Sequence, residues 1–289
     1  MLYPELFKTL ESARWDMETG VPWSDFEDDK LTEEQAQTVR MNAITEWSAL
    51  PATEMFLRDN MGDSDFSAFM SVWFYEEQKH ALVLMEYLRR FRPALAPTEE
   101  ELSKVRFPFD PAPPFETLML HYCGEIRLNQ WYRRASAWHT EPVIKRIYEL
   151  LAADEARHAG AYFRYMRRAI DRFGDLASLS FARIGVLMAN TRSSRALHPT
   201  NLHVSKEHYP LDTVQSRLPD PGWLEHWLDS QINFDKSWEE KVSRTILRKL
   251  SNLFGTDFQS IRDLRAFRKL LEGNAALPES ESEQQASPA

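Results

Sequence analysis

The pentapeptides Glu76-Glu77-Gln78-Lys79-His80 and Asp154-Glu155-Ala156-Arg157-His158 constrain this chain more than any other feature, because each writes acid-Glu-x-x-His inside a helix-forming stretch. Residues three apart project from one face of an α-helix, about 60° apart around its axis, so a Glu oxygen and a His nitrogen can reach the same ion. With 44 acidic residues among 289 positions, random placement over eight histidines gives two such boxes on the order of once in a hundred chains. The repeat carries the argument, since either box alone is also an ordinary solvated charge pair.

Two further glutamates complete a pattern. Glu46 precedes Glu77 by 31 residues and Glu125 precedes Glu155 by 30. In a four-helix bundle holding a carboxylate-bridged metal pair, two helices each give a lone Glu and two each give Glu-x-x-His, all pointing inward. The expected ligands are therefore Glu46, Glu77, His80, Glu125, Glu155 and His158, with Glu77 and Glu155 bridging and Glu46 and Glu125 terminal. Glu54 competes for the first position, but it leaves only 23 residues before Glu77 for half a helix, a turn and half a helix. Oxygen and nitrogen donors without thiolate suit two iron ions, with manganese fitting the same set, better than structural zinc.

Metal-bound imidazole normally passes its other N–H to a carboxylate. Glu76 and Asp154 are placed for that task, each serving the His of the opposite helix. His121, one turn before Glu125, reads as an extra ligand, a proton relay or a satisfied core residue. Trp73, one turn before Glu77, reads as an electron relay or as core.

The chain between these residues predicts an all-α fold. Thr32-Glu33-Glu34-Gln35 is a capping box opening a helix to about residue 60, kinked at Pro51. A second helix starts at Asp63 or Asp65 and ends near Arg92, its apolar positions (Phe66, Phe69, Val72, Trp73, Leu82, Leu84, Leu88) surrounding the first box as in a buried helix. Six prolines between Pro93 and Pro114 mark one long crossover, the mark of a ferritin-like bundle. Helices at about 115–139 and 142–173 follow, then others near 175–192, 221–232 and 234–271, with a Pro-punctuated loop from Ser194 to Pro221. One domain is expected over residues 1–272, its core bundle at about 32–173, before a disordered Ser/Glu/Gln/Pro-rich tail at 273–289.

Bulk properties narrow the function class. No apolar run of about 18 residues exists to span a membrane, and the N-terminus lacks a signal peptide's pattern. The single Cys123 excludes an internal disulfide and any Cys-x-x-Cys module, so a reducing cytoplasmic setting is expected. A net charge of −9 argues against nucleic-acid binding. Arginines cluster at 89–92, 133–134 and 164–172, where helix C-termini favour cations, and they are also candidate docking points for an acidic partner.

With these residues in place, the chain resembles the soluble acyl-(acyl-carrier-protein) desaturases of the ferritin-like di-iron superfamily. Ile44-Thr45-Glu46 followed by Ala49-Leu50-Pro51 is similar to that family's first-ligand helix, with one residue inserted. Trp73 stands where the family has a tryptophan, and Ala152 to His158 with Ala161-Tyr162 resembles its second box. The likeness covers residues 32 to 192. It implies an enzyme, a homodimer, that takes two electrons from a ferredoxin-like donor and uses O2 to oxidise an unactivated C–H bond of an acyl chain on a carrier protein. The channel for that chain would be lined by Phe69, Met70, Leu118 and Leu128. Leu128 stands where that family has a threonine that assists the oxygen chemistry, three residues after the third ligand. Two other readings stay open: oxygenation of an amine or other small substrate at the same metals, and a ferroxidase or iron-handling protein.

Overall fold

The structure, a computed structural model, describes residues 1–103, 105, 111–190 and 236–275. Among these it is all-helical, with no strand. The Ser194–Pro221 loop, the helix expected near 221–232 and residues 276–289 of the tail lie outside the described residues.

Four long segments form the bundle. α2 (Glu33–Glu46) opens with the expected capping box, Thr32 and Gln35 each bonding the other's backbone N–H. The expected single kinked helix is instead two. Pro51 cannot donate to the carbonyl of Trp47, and its ring would collide with it, so the chain tightens at Trp47 and Ser48, where Ser48 N donates to Thr45 O at 3.0 Å, and continues as α3 (Ala49–Asp59). Pro51 then occupies the first turn of α3, where a missing N–H costs nothing. α4 (Ser64–Phe91) is capped by Asp63, whose carboxylate accepts from Phe66 N at 3.1 Å. The crossover carries a short helix, α5 (Glu99–Ser103), absent from the expectation. α6 (Pro114–Trp138) and α7 (Pro142–Ala189) then form the second hairpin, Glu141 capping α7 through Val143 and Ile144 N. α2 and α3 pack on α4, α6 on α7, and the two hairpins meet where α4 faces α7 and α3 faces α6. Leu82 departs from the all-round burial expected of α4, being 40% exposed.

At Gly174, φ 51° and ψ −126° interrupt α7, dividing it at the boundary read between 173 and 175. That backbone region is nearly closed to residues with a Cβ. Since a Cβ there would touch nothing within 4 Å, the cost of substitution is purely conformational. Gly174→Ala should lower unfolding stability by about 1–3 kcal/mol in urea titration while leaving metal uptake unchanged.

The C-terminal region also differs from expectation. One helix at 234–271 is two, α8 (Lys236–Phe254) and α9 (Ile261–Ala275), separated at Gly255 with φ 65°. α9 also extends past the expected tail boundary at 273. Both helices pack on α7, and α8 also meets α6 through the buried Arg127–Glu239 pair at 2.8 and 3.2 Å. A further helix, α1 (Tyr3–Ala13), was not legible beforehand. Its first turn is tied to α4 by Asp65, which accepts from Leu2 N and Tyr3 N at 2.8 and 3.1 Å and also pairs with Arg168 of α7.

Candidate metal centre

The bundle brings all six expected side chains together. Glu46 closes α2, Glu77 and His80 lie midway along α4, Glu125 midway along α6, and Glu155 and His158 in the first half of α7. All six are at most 4% exposed, whereas Glu54 points to solvent. They form two overlapping groups, Glu46–Glu77–His80–Glu155 and Glu77–Glu125–Glu155–His158, and in each group the candidate ligand atoms lie within 4.8 Å of one another. Glu77 and Glu155 belong to both.

The donor spacings lie within a few tenths of an ångström of what an ion in each group requires. His80 Nδ1 lies 3.6, 3.5 and 3.6 Å from oxygens of Glu46, Glu77 and Glu155. His158 Nδ1 lies 2.8, 3.7 and 3.5 Å from oxygens of Glu77, Glu125 and Glu155. Two donors each about 2.1 Å from one cation, at right or tetrahedral angles, stand about 3.0–3.4 Å apart. His80 Nδ1, Glu46 Oε1, Glu125 Oε2 and both oxygens of Glu155 are buried without a hydrogen-bond partner, while His158 Nδ1 and Glu77 Oε1 face each other at 2.8 Å. Buried polar atoms are normally satisfied, so an orphaned set converging on one point is what a cation would resolve.

The other face of each imidazole is engaged crosswise. His80 Nε2 lies 3.0 Å from Asp154 Oδ2 of α7, and His158 Nε2 lies 2.9 Å from Glu76 Oε2 of α4. These contacts hold the rings with Nδ1 turned inward. Trp73 Nε1 donates to Glu125 Oε1 at 3.0 Å, holding that carboxylate in place. Trp73 is itself 4% exposed. Two residues escaped the sequence reading. Trp15 donates from Nε1 to Asp154 Oδ2 at 2.7 Å, and Arg157 pairs with Asp154 and approaches Glu76 at 3.9 Å. Trp15 has no spacing relation to the boxes, so nothing local marked it. Arg157 sat inside the second box as a variable position.

Electrostatics show a site hungry for positive charge. Burial pushes the Glu46 carboxyl up to about 7, opposed by His80. Glu155 is raised well above its ordinary value, first by burial and then by Glu77 and Glu125. Burial alone would depress His80, but Glu77, Glu46 and Glu155 hold it up at about 10. His158 is raised likewise by Glu125, Glu155, Glu76 and Glu77. Glu77 is shifted the other way, its carboxyl lowered by the two histidines despite burial. The shifts of Glu46, Glu155, His80 and His158 all favour the protonated form, as expected of a site built to be neutralised by cations.

A cavity of about 40 Å³ adjoins the cluster, lined by Thr45, Glu46, Glu77, His121, Glu125 and Leu128 among others. That is room for a diatomic molecule or a few waters, not an acyl chain. Of the four residues expected to line a channel, only Leu128 borders the cavity; Phe69, Met70 and Leu118 are buried in the apolar core. His121 belongs to neither ligand group. It borders the cavity with Nε2 unpartnered and is kept neutral by burial, which lowers its pKa to about 3.

No family model matches the chain, and no curated protein matches it. No described helix is long and apolar enough to cross a membrane.

Proposed function

We propose that this chain is an O2-dependent di-iron oxidoreductase, and that its substrate is an acyl chain, as the resemblance to the acyl-carrier desaturases implies. The observation that carries the reading is the pair of overlapping ligand groups sharing Glu77 and Glu155. Glu77 and Glu155 would hold both ions, Glu46 and His80 one, Glu125 and His158 the other. A bound iron pair supplies the reduction of O2 and the oxidation of a C–H bond that acid–base chemistry cannot reach.

The protein's own part follows from the geometry. Asp154 and Glu76 keep the imidazoles oriented, and Trp73 keeps Glu125 oriented. Phe56 and Trp73 wall the site against water, their rings 5.5 Å apart. Thr45 and Ser48, which carry hydroxyls, line the cavity together with Leu128, which carries none. Electrons from a ferredoxin-like donor have a hydrogen-bonded route inward along Trp15, Asp154 and His80. Many arginines weighed as docking points for an acidic acyl-carrier protein are engaged within the chain: Arg90 with Glu86 and Glu18, Arg92 with Asp28, Arg164 with Glu5, and Arg168 with Asp63 and Asp65. Exposed Arg133 and Arg172 are the better candidates. The protein would act as a homodimer in the cytoplasm.

The small cavity and the free His121 Nε2 favour a second reading, oxygenation of an amine or another small substrate. One experiment sorts these and the iron-handling alternative. Metal-free protein titrated anaerobically with Fe(II) should saturate at about two ions per chain. Exposure to O2, reductant and acyl-carrier substrate should then remove two hydrogens from the acyl chain, read by mass spectrometry. Conversion of small amines alone would select the second reading, and continued oxidation of iron far beyond two equivalents would select iron handling.

A further inference from the structure

On the surface above the Trp15–Asp154–His80 path lies a pocket of about 410 Å³, formed where the segment after α1 crosses α4 and lined by Arg14, Trp15, Tyr75, Gln78, Lys79 and Leu82 among others. Its volume falls in the range of about 300–1,000 Å³ typical of small-molecule sites. Three features define what would fill it. Lys79 is only 5% exposed, yet no described carboxylate lies within salt-bridge distance; its ammonium rests 4.3 Å from the Trp15 ring centroid and 3.4 Å from the Trp15 carbonyl. Glu76 and Asp16 act on this ammonium only from beyond contact distance, and a buried cation with no carboxylate in contact favours an anion from outside. Arg14 stands at the same rim, its guanidinium 5.9 Å from the Tyr75 ring. Asp16 also borders the pocket, but its Oδ1 is occupied by Glu18 N, Thr19 N and the Thr19 hydroxyl. The third feature is apolar: Tyr75 is 52% and Leu82 40% exposed on a helix otherwise well buried, giving a flat aromatic ring something to cover.

The geometry points to a binding site for a planar aromatic anion, specifically a flavin mononucleotide, with the ring system against Tyr75, Leu82 and Trp15 and the phosphate toward Lys79 and Arg14. The site explains why an indole joined to a metal-facing histidine through a single carboxylate ends in a pocket. Its use as an electron-entry site rests on the oxidoreductase reading above and puts a reduced flavin in the place of the ferredoxin-like donor on that path. A dihydroflavin bound there would leave as oxidised flavin after releasing two electrons and two protons, one electron going to each of two trivalent ions at the loaded site and the protons to solvent.

Binding itself is measured without metal. Full-length, metal-free protein titrated with oxidised flavin mononucleotide should quench flavin fluorescence and saturate at one equivalent per chain. Riboflavin, lacking the phosphate, should bind at least about tenfold more weakly, and Arg14→Gln and Lys79→Gln should each weaken the mononucleotide about tenfold while leaving riboflavin unchanged. Tyr75→Ala, an exposed change that should not disturb folding, should weaken both ligands. No saturable quenching, equal affinity for riboflavin and the mononucleotide, or indifference to all three substitutions would each overturn the assignment. So would competition for this surface by an acidic iron–sulfur protein that binds while flavin does not. None of these outcomes alters metal uptake, so failure here and failure of the di-iron reading are told apart by the iron titration.

Discussion

Glu155→Gln is expected to abolish loading of both ions, whereas Glu46→Gln should leave one ion bound. Glu155 belongs to both ligand groups and Glu46 to one only. Glutamine preserves volume but removes the negative charge, and a neutral amide is a poor bridge between two cations. Metal analysis of anaerobically reconstituted protein should therefore fall from about two ions per chain to near none for Glu155→Gln, and to about one for Glu46→Gln. Loss of fold is not the explanation to fear. Glu155 is fully buried, and its raised carboxyl is held in the neutral form without ions, so a neutral amide of the same volume adds no buried charge to the ion-free state. Ion-free Glu155→Gln should thus melt at or above the temperature of ion-free wild type. Full loading of this variant, or equal loss in both variants, would mean that the two groups are not two bridged seats.

The six ligands were legible because the helical repeat does the aligning. Once Glu77 and His80 share a face, and Glu155 and His158 share another, only the offsets to Glu46 and Glu125 remain, and a short hairpin turn limits those. The crosswise pairing of His80 with Asp154 and His158 with Glu76 followed from the same symmetry, since the residue before each bridging Glu lies beside the opposite histidine. What was not legible depended on contacts far apart in the chain. Trp15 meets Asp154 across 139 positions, and α1 is held by Asp65 some 62 positions away. Neither leaves a local mark. The break at Trp47–Ser48 was half visible, because Pro51 announces a disruption but not whether the helix bends or parts. The cavity was the furthest from reach. Its volume is the residue of packing among Thr45, Ala49, His121, Gly124 and Leu128, and a change of one methyl group in any of them would alter it.

Removing the ions should make stability depend steeply on pH, and restoring them should erase most of that dependence. Glu46 carries a carboxyl raised to about 7 from 4.5, so the folded ion-free protein binds its proton more tightly than the unfolded chain does. Its contribution is lost as pH rises from about 4.5 to 7, on the order of 3 kcal/mol. His80, raised to about 10 from 6.5, contributes stability that is complete below 6.5 and disappears as pH climbs through 10. Glu155 and His158 are shifted in the same direction. Glu77 runs the other way: its lowered pKa gives stability present above 4.5 and lost as the medium is acidified below that value. The ion-free protein should accordingly be most stable near pH 5 and weaken steadily toward pH 8. Cations displace the protons and neutralise the same carboxylates, so their affinity rises with pH and the loaded protein should hold its melting temperature over that span. Thermal unfolding followed by circular dichroism, with chelator or with Mn(II) as an oxygen-stable probe, should show a gap between the two forms that widens from pH 5 to 8. A gap that narrows, or an ion-free melting temperature that climbs with pH, would mean that the buried carboxylates are neutralised by something other than bound cations.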